Sequence, residues 1–517
     1  MNTHSTVIFD IVRNGELQWP DRIALQYGES SWTWKHLGDR VRRNASAQRE
    51  AGLRSGDRVA FLDKNSAACL ETTLACGLGG TVNAVVNFRL APTELTYVIN
   101  DSTARILFVG HDLREAVDQI RGDLATVERI IVVGGPEDEY ESFVASADAA
   151  MPADCAKPDD CFVQLYTSGT TGFPKGAMLT HRSLLTNAAG VVNSFQFVED
   201  SVNMVAMPLF HVSGTGWALA GMSVGAQTIV VRDVVPDQIL AQFGRDRVTH
   251  AFFVPAVYGF FLETPGLAKY DFSSLRCLGY GGSPMPSHLL RRALEVFSVD
   301  FYQVYGMTEA SGAFSILGPA EHRDSNHPLR LNSAGRAIPG TEIRVVDRAG
   351  HDLPDGEIGE FVVRGDLVMA GYWCRPTDTA STVVDGWLHT GDAGRRDSDG
   401  YLYIEDRIKD MIISGGENVY PAEIERVLSM FPDIGEIAVI GVPDEKWGEA
   451  VKAVVAPKPG AFFDEEKFLA YARDNLAGYK RPKSVDVMAA LPRNATGKIL
   501  KRELRAPYWK DHQRALG

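Results

Sequence analysis

The stretch YTSGTTGFPKGAMLTH, residues 166–181, is the most informative part of this 517-residue sequence. It follows an apolar run, residues 160–166, that is typical of a β-strand. Within residues 166–176 there are four serine or threonine hydroxyls, three glycines and one lysine, Lys175. Glycines let backbone N–H groups approach an anion, hydroxyls donate to its oxygens, and the lysine supplies positive charge. The segment therefore predicts a phosphate-binding loop.

This loop is not a Walker A motif, whose pattern is GxxxxGK followed by serine or threonine. Pro174 stands where that pattern requires glycine, and Gly176 stands where it requires a hydroxyl side chain. A short run of glycine, serine and threonine is also typical of a polar surface loop without a ligand. The loop alone leaves both alternatives open.

Length, charge and composition limit the class of protein. A chain of this length usually forms two or more domains. The net charge of -14 argues against a nucleic-acid binder, which needs a basic surface. No run approaches the ~20 apolar residues of a membrane span, so we expect a cytoplasmic protein, with peripheral membrane contact left open. The six cysteines lack CxxC pairs and zinc-like spacing, so we expect reduced thiols.

The order of predicted elements indicates an α/β fold. Between residues 58 and 306, β-rich runs such as Arg58–Leu62 alternate with helical patterns, which predicts layered α/β sheets. From residue 341 to 405 the pattern is strand and turn only, which predicts a β subdomain. Beyond it, a helix beginning at Pro421, two strands, a second helix and a further strand predict a small α+β domain. We therefore expect a large N-terminal domain, residues 1–408, and a small C-terminal domain, residues 409–517.

Further blocks follow the loop in a characteristic order. They are Pro208-Leu-Phe-His211, Gly279-Tyr-Gly-Gly-Ser-Pro284, Tyr305-Gly-Met-Thr-Glu309, Gly386-Trp-Leu-His-Thr-Gly-Asp392, Asp406-Arg-Ile-Lys-Asp-Met-Ile-Ile-Ser-Gly-Gly416 and Pro492-Arg-Asn-Ala-Thr-Gly-Lys498. Together with the loop, this order resembles the adenylate-forming superfamily, which includes acyl-CoA and aryl-CoA ligases, peptide-synthetase adenylation domains and luciferases. A single block could arise by chance, whereas this many collinear blocks over residues 166–498 could not.

The resemblance implies a reaction in two half-steps. A carboxylic acid attacks the α-phosphate of Mg-ATP to give an acyl adenylate and pyrophosphate, and the thiol of CoA then displaces AMP. ATP, Mg²⁺ and coenzyme A are therefore expected. The resemblance also implies that the small domain is mobile, with a hinge at Lys409, and that it carries the catalytic lysine Lys498.

The resemblance assigns roles to individual residues. Lys498 would stabilise the charge that develops between the carboxylate and the α-phosphate, and Thr308 would donate to that phosphate. Glu309 would bind Mg²⁺. Asp392 and Arg407 would hold the ribose hydroxyls as acceptor and donor. In isolation, Thr308 and Glu309 resemble a solvated pair, and Asp392 and Arg407 resemble ordinary surface charges.

The remaining assignments fall into three groups. Residues expected around the leaving phosphates are Thr167, Ser168, Gly169, Thr170, Thr171, Gly172 and Lys175. Tyr305 would stack on adenine, and the residues expected beside it are Gly281, Gly282, Ser283, Gln303 and Gly306. By similarity to aryl-CoA ligases, the residues expected near CoA are Arg89, Trp447, Tyr479 and Lys483.

The sequence defines the acid less well than the reaction. His211 resembles the family's aromatic residue at the mouth of the acyl pocket. The aspartate of amino-acid-activating domains, expected at Phe210 or His211, is absent, which disfavours an amino-acid substrate. Our first hypothesis is an acid–CoA ligase for a medium- to long-chain fatty or similar hydrophobic acid. The alternatives are an aryl-acid CoA ligase of the benzoate or hydroxycinnamate type and a stand-alone adenylation enzyme that loads a separate carrier protein. Oligomeric state is left open, with a homodimer as one alternative.

Overall fold

A computed structural model describes residues 6–151, 156–167, 174–283, 285–408, 410–414, 417–444, 446–493 and 499–510. The chain forms two compact units. The first comprises Met1–Ile343 and Val363–Leu388, and the second comprises Arg344–Val362 and His389–Gly517. Lys409 lies outside the described residues, and the division into domains 1–408 and 409–517 stays a prediction.

The α-helices of the described residues are, in chain order, α1 (Phe9–Gln18), α2 (Trp34–Glu50), α3 (Ala67–Gly79), α4 (Pro92–Ser102), α5 (Arg114–Ile120), α6 (Tyr140–Ala145), α7 (His181–Phe195), α8 (Val212–Ser223), α9 (Pro236–Arg245), α10 (Pro255–Glu263), α11 (Ser287–Phe297), α12 (Pro319–Arg323), α13 (Pro376–Thr382), α14 (Pro421–Leu428), α15 (Glu465–Asn475) and α16 (Lys501–Arg505). Their starts follow ordinary rules. Thr33 and Ser66 cap α2 and α3 by accepting backbone N–H groups, and proline opens several others, including α10 and α14.

The strands are β1 (Ile23–Tyr27), β2 (Ser30–Thr33), β3 (Arg58–Leu62), β4 (Val82–Val86), β5 (Ala104–Gly110), β6 (Arg129–Val133), β7 (Cys161–Thr167), β8 (Lys175–Thr180), β9 (Val202–Val205), β10 (Gln227–Val230), β11 (His250–Phe253), β12 (Cys277–Gly281), β13 (Asp300–Met307), β14 (Gly312–Leu317), β15 (Arg336–Ala337), β16 (Glu342–Val346), β17 (Gly359–Arg364), β18 (Gly371–Tyr372), β19 (Val383–Val384), β20 (Trp387–Arg396), β21 (Leu402–Arg407), β22 (Ile412–Ser414), β23 (Glu417–Val419), β24 (Ile434–Asp444), β25 (Gly448–Pro457) and β26 (Ser484–Val487).

Two sheets dominate the first unit. One has nine strands in the order β15-β14-β13-β12-β11-β9-β10-β1-β2, and the other has seven in the order β18-β8-β7-β4-β3-β5-β6. Their central strands are parallel, whereas β13–β14 and β7–β8 are antiparallel pairs. Strands β3, β4 and β11 are buried at every residue, which is typical of parallel strands covered by helices on both faces.

The second unit has its own core. A five-stranded sheet in the order β23-β22-β25-β24, with β26 paired to β25, carries apolar residues that pack against α14 and α15. Phe468 of α15 and Ile424 of α14 are completely buried in this cluster. A further five-stranded sheet has the order β16-β17-β20-β19, with β21 paired to β20.

The predicted α/β fold class is confirmed. The strand predicted at Arg58–Leu62 has the predicted bounds, and the helix predicted to begin at Pro421 is α14. One prediction is wrong, because α13 lies inside the segment expected to hold only strands and turns. Its sequence, PTDTAST, contains a single apolar side chain besides the proline and therefore shows no hydrophobic periodicity.

Two negative expectations concern thiols and membrane spans. Five of the six cysteines, Cys69, Cys76, Cys161, Cys277 and Cys374, are free thiols, and Cys155 lies outside the described residues. Among the helices of the described chain, none is long and apolar enough to cross a membrane.

Candidate active site

The two ends of the predicted phosphate loop are paired with each other. Strand β7 ends at Thr167 and β8 begins at Lys175, and these two residues face each other in the antiparallel register. Next to Lys175, the Pro174 carbonyl accepts a hydrogen bond from the Tyr97 hydroxyl at 3.3 Å. Five predicted loop residues lie outside the described part of the chain, namely Ser168, Gly169, Thr170, Thr171 and Gly172.

Glu309 is a buried carboxylate and not a solvated one. It lies in a one-turn 3₁₀ helix, Thr308–Ala310, directly after β13, and is 7% exposed. Its Oε1 accepts hydrogen bonds from Tyr372 Oη at 2.7 Å and from Thr167 Oγ1 at 3.3 Å. Taken in isolation, Glu309 resembled a solvated residue. That interpretation is wrong, because tertiary contacts with β7 and β18 cover the side chain. Thr308, beside it, is half-buried.

Tyr372 contacts opposite charges on two sides. Its hydroxyl donates to Glu309, and Lys175 Nζ lies 5.3 Å from the centroid of its ring. Burial, reinforced by the Glu309 carboxylate, raises the pKa of Tyr372, so the phenol keeps its proton and remains a donor. Lys175 also forms an ion pair with Asp378, the third residue of α13, in which Lys175 Nζ lies 2.5 Å from Asp378 Oδ1.

The residues predicted to surround adenine lie at the ends of adjacent strands. Gly281 of β12 pairs with Val304 of β13, and a Cβ at Gly281 would lie 2.5 Å from the Val304 carbonyl oxygen. This close approach requires glycine independently of any ligand. Gly282 has φ +78°, in the region that favours glycine. Farther along β13, Tyr305 packs edge-on against Phe314, with ring centroids 4.5 Å apart. The remaining members of this group are Ser283, Gln303 and Gly306, of which Ser283 and Gly306 are exposed and Gln303 is half-buried.

Arg89 and His211 lie in one region because their chain neighbours Phe88 and Phe210 are in contact. Phe88 packs edge-on against Phe210 with centroids 5.6 Å apart, and Phe210 lies 4.5 Å from the ring of His211. His211 immediately precedes α8. Arg89 is exposed, and its guanidinium carbon lies 5.2 Å from the Phe88 ring.

Four buried aromatic rings pack together around α8, the helix that directly follows His211. Phe195 and Trp217 have centroids 4.9 Å apart, Trp217 and Phe252 5.8 Å, and Phe195 and Tyr302 4.4 Å. We refer to these four residues as the aromatic wall. Trp217 follows Gly216 on α8, and Phe252 covers the glycine face of β12, where a Cβ at Gly281 would lie 3.2 Å from Phe252 Cζ.

The predicted ribose-binding residues form a pair in the second unit. Asp392 of β20 faces Arg407 of β21, and Asp392 Oδ1 lies 2.6 Å from Arg407 Nε. The aspartate side chain is 6% exposed. Arg407 also donates to the Thr390 carbonyl at 3.3 Å. The reading of Asp392 as a surface charge is therefore wrong.

Three residues predicted near CoA are exposed in the second unit: Trp447, Tyr479 and Lys483. Trp447 lies in the turn between β24 and β25, where its backbone N–H donates to Asp444 Oδ1 at 2.9 Å. The backbone N–H of Lys483 donates to the Val451 carbonyl of β25 at 2.7 Å. Lys498 lies outside the described residues, and its catalytic role stays a prediction.

Sequence reasoning did not identify Tyr372 or Asp378. Both lie in the segment where it expected only strands and turns, about 200 residues from the loop. The pairing of β18 with β8, in which Tyr372 faces Ala177, brings them to the site. No periodicity in the sequence indicates this contact.

The oxygen donors around Glu309 fit a magnesium ion. Among the described residues, no group of three or more His, Cys, Asp and Glu side chains could hold a metal by itself. Mg²⁺ in nucleotide enzymes is usually bound by one or two carboxylates together with substrate phosphates and waters. One buried carboxylate next to the predicted phosphate loop matches that donor set.

Comparison with known proteins agrees with this geometry. The sequence model of the family described as AMP-binding enzyme matches residues 13–373, and that of the AMP-binding enzyme C-terminal domain matches residues 423–498. The chain is 41% identical over 487 residues to a feruloyl-CoA synthase of an Amycolatopsis species, covering 94% of this chain and 96% of that protein. It is 38% identical over 492 residues to the fatty acid–[acyl-carrier-protein] ligase ScoC of Streptomyces coeruleorubidus, covering 94% and 93%. The structure of ATP-bound MatB from Rhodopseudomonas palustris superimposes with a TM-score of 0.89 at 32% identity, covering 99% and 100% of the two chains.

The chain therefore belongs to the AMP-binding enzyme family, within the adenylate-forming superfamily. It is an AMP-forming carboxylic acid–CoA ligase, and ATP and CoA are the substrates it shares with its family.

Proposed function

We propose that this ligase activates an aryl-substituted acid of the hydroxycinnamate type. The observation that carries the proposal is the aromatic wall, whose members Phe195 and Trp217 are 1% and 6% exposed. A long alkyl chain entering between α8 and β12 would have to displace these packed rings, whereas a planar ring would end against them. The 41% identity to a feruloyl-CoA synthase supports the same choice.

This proposal reverses the order of the hypotheses taken from sequence. A fatty acid remains the competing substrate, because ScoC, named as a fatty acid–[acyl-carrier-protein] ligase, is nearly as similar. Its name also keeps a carrier protein as a competing acceptor. The two questions, which acid and which acceptor, are independent and need separate measurements.

In the proposed chemistry, each polar residue of the site acts on a different part of the reacting ATP. Lys175 and the phosphate loop would hold the leaving pyrophosphate, and Thr308 would donate to the α-phosphate. Lys498 would stabilise the negative charge that develops as the carboxylate oxygen attacks. Glu309 would bind Mg²⁺, which when bound offsets the charge of the phosphates and lets the carboxylate approach.

The second half-reaction uses the other predicted group. Asp392 and Arg407 would retain AMP through its ribose until the thiolate of CoA attacks the acyl carbon and AMP leaves. Arg89, Trp447, Tyr479 and Lys483 are proposed contacts for CoA. Rotation of the small domain about Lys409 would withdraw Lys498 and bring Trp447, Tyr479 and Lys483 toward the nucleotide.

The acid is identified by measuring adenylation alone. We would follow pyrophosphate release with hydroxylamine as acceptor for ferulate, 4-coumarate, benzoate, octanoate and palmitate. The proposal predicts that kcat/KM for a hydroxycinnamate exceeds that for palmitate by about 100-fold or more, the order that a mismatched pocket produces. A preference for palmitate would reject the aryl assignment and restore the fatty-acid hypothesis.

The acceptor is identified in a second step. With the best acid and ATP present, CoA or a purified acyl carrier protein is added and the thioester is quantified. Transfer to CoA at least tenfold faster than to the carrier is expected. The reverse order would indicate a carrier-loading enzyme with the same first half-reaction.

A further inference from the structure

Tyr372 lies between Glu309, which the resemblance assigns to Mg²⁺, and Lys175, which it assigns to the leaving phosphates. Its hydroxyl donates to Glu309 at 2.7 Å, and Lys175 Nζ lies 5.3 Å from its ring centroid. The tyrosine is 8% exposed, and its strand is paired with the strand that begins at Lys175. Tyr372 therefore contacts Glu309 through its hydroxyl and Lys175 through its ring, and its burial leaves it little freedom to move.

We infer that Tyr372 is a positioning residue that fixes the Glu309 carboxylate as a ligand for Mg-ATP and sets its distance from Lys175. This inference rests on the proposed role of Glu309. Two hydrogen bonds, from Tyr372 and Thr167, converge on Oε1. Donors on Oε1 fix the rotation of the carboxyl group and leave Oε2 as the oxygen to face a cation. A metal-binding carboxylate is commonly oriented by such an outer hydrogen bond.

The ring of Tyr372 has a separate effect. A cation 5.3 Å from an aromatic centroid is attracted by the ring's quadrupole. Asp378 holds the same ammonium group from α13 at 2.5 Å. The hydroxyl and the ring thus act on different partners, and substitutions can separate them.

The chain offers a control in a second buried tyrosine–glutamate pair. Tyr140 Oη donates to Oε1 of Glu71 at 2.8 Å, and both side chains are buried within the same unit. Tyr140→Phe removes a tyrosine–glutamate hydrogen bond of nearly equal length that does not touch Glu309 or Lys175, together with the hydrogen bonds of Tyr140 Oη with Asn44 Nδ2 at 2.8 Å and Thr72 Oγ1 at 3.2 Å. It controls for the general cost of deleting a buried phenol hydroxyl.

The experiment measures equilibrium binding instead of turnover. The affinity for a non-hydrolysable ATP analogue is determined by calorimetry in EDTA and again at saturating Mg²⁺, and the ratio is the gain due to the cation. Tyr372→Phe should reduce this gain about 10–100-fold, the usual effect of removing an outer-shell partner, while the affinity in EDTA stays unchanged. Tyr140→Phe should keep the wild-type gain, and Glu309→Gln should abolish it.

A second substitution tests the ring and guards against a folding failure. Tyr372→Leu should lose the same cation-dependent gain and should also bind the analogue about threefold more weakly in EDTA, because Lys175 loses a cation–π contact. Thermal unfolding and circular dichroism establish that each variant is folded.

Different results would overturn different claims. A wild-type gain in Tyr372→Phe, with the gain abolished in Glu309→Gln, would reject the positioning role and leave the proposed function intact. An equal loss in Tyr140→Phe would reject it as a general stability effect. A retained gain in Glu309→Gln would remove Glu309 from the cation site, and the inference would fall with that part of the proposed function.

Discussion

Asp392 and Arg407 stand opposite each other on paired antiparallel strands, with Oδ1 of the aspartate 2.6 Å from Nε of the arginine. Asp392 is 6% exposed at its side chain and Arg407 is 42% exposed. A buried carboxylate without a partner costs free energy, so the arginine stabilises the fold as well as the proposed ribose site. Substitution of Asp392 should therefore affect both nucleotide binding and stability.

We expect Asp392→Asn to weaken AMP binding by about 10–100-fold, since a hydrogen bond to a charged group contributes roughly 1.5–3 kcal/mol. Asp392→Ala should weaken binding similarly and also lower the free energy of unfolding by up to about 1 kcal/mol, because the ion pair is lost while water solvates the 42% exposed Arg407. Calorimetry with AMP and urea unfolding measure the two effects.

A control for these variants lies on the same two strands. Glu405→Gln disrupts the neighbouring ion pair, in which Glu405 Oε1 lies 3.4 Å from Arg395 Nε, and should leave AMP affinity unchanged. Wild-type affinity in a folded Asp392→Asn would remove Asp392 from the nucleotide site.

Acid should destabilise the first unit through buried histidines. Burial lowers the pKa of His181 to about 4. Its Nδ1 accepts the Ile8 N–H at 3.0 Å, and its ring stacks on Phe162. Because the folded pKa lies below the unfolded value of about 6.5, the unfolded chain binds the proton first. The stability that the neutral histidine provides is present above pH 6.5 and is lost as the pH falls toward 4.

Between pH 7 and pH 5 this loss should amount to about 2 kcal/mol for His181, and His250, whose burial lowers its pKa to about 4, should behave alike. Asp406 acts in the opposite direction, since burial raises its pKa to about 6. The informative quantity is therefore the difference between wild type and His181→Asn in urea unfolding at the two pH values. Equal pH dependence in both proteins would show that His181 does not titrate on unfolding.

Local sequence patterns were sufficient to predict the strand that leads into the proposed phosphate loop. The apolar run before the loop, residues 160–166, predicted β7. Chemical order along the chain also identified Glu309, which the fold brings within 3.3 Å of Thr167 although 142 positions separate them. Each block is a short contiguous motif, so it can be recognised in the sequence however many residues separate it from the next block.

Contacts made by residues outside such blocks were not predictable. Asp378 reaches Lys175 across 203 positions, through a short polar helix without a hydrophobic stripe. The burial of Glu309 and Asp392 depends on neighbours from other strands, so residue type alone assigned them to the surface. Sequence thus indicates which groups act on the substrate and says little about which groups hold them.

Lys498→Ala should nearly abolish adenylation while thioester formation from a supplied acyl adenylate is largely retained. Loss of a contact to transition-state charge typically costs on the order of 10²–10³ in rate, and the resemblance assigns that contact to the first half-reaction only. Single-turnover pyrophosphate release and thioester formation measure the two steps. Lys467→Ala, at a 77% exposed lysine, is the control, and an equal fall in both steps would mean a structural role for Lys498.

The proposed acyl pocket can be tested with two glycines near the start of α8, Gly214 and Gly216. A Cβ at Gly214 would lie 2.6 Å from the Met207 carbonyl oxygen, whereas a Cβ at Gly216 would meet Val212 Cγ2 at 3.7 Å and the Ser311 carbonyl at 3.8 Å, which are ordinary contacts. Gly214→Ala should therefore destabilise the protein by roughly 1–3 kcal/mol. Gly216→Ala should keep the fold and gain up to about 1 kcal/mol of helix stability.

Gly216→Ala then tests where the acid binds. If the segment around Gly216 lines the acyl pocket next to the aromatic wall, the added methyl group narrows it. The kcat/KM for ferulate should then fall about tenfold relative to that for octanoate, since one methyl group in a pocket changes selectivity by roughly 10–200-fold and a rigid ring adapts less than an alkyl chain. Adenylation rates for the two acids, measured with folded protein, decide the matter: parallel changes would place the acid away from α8, because a methyl group outside the pocket affects both substrates alike.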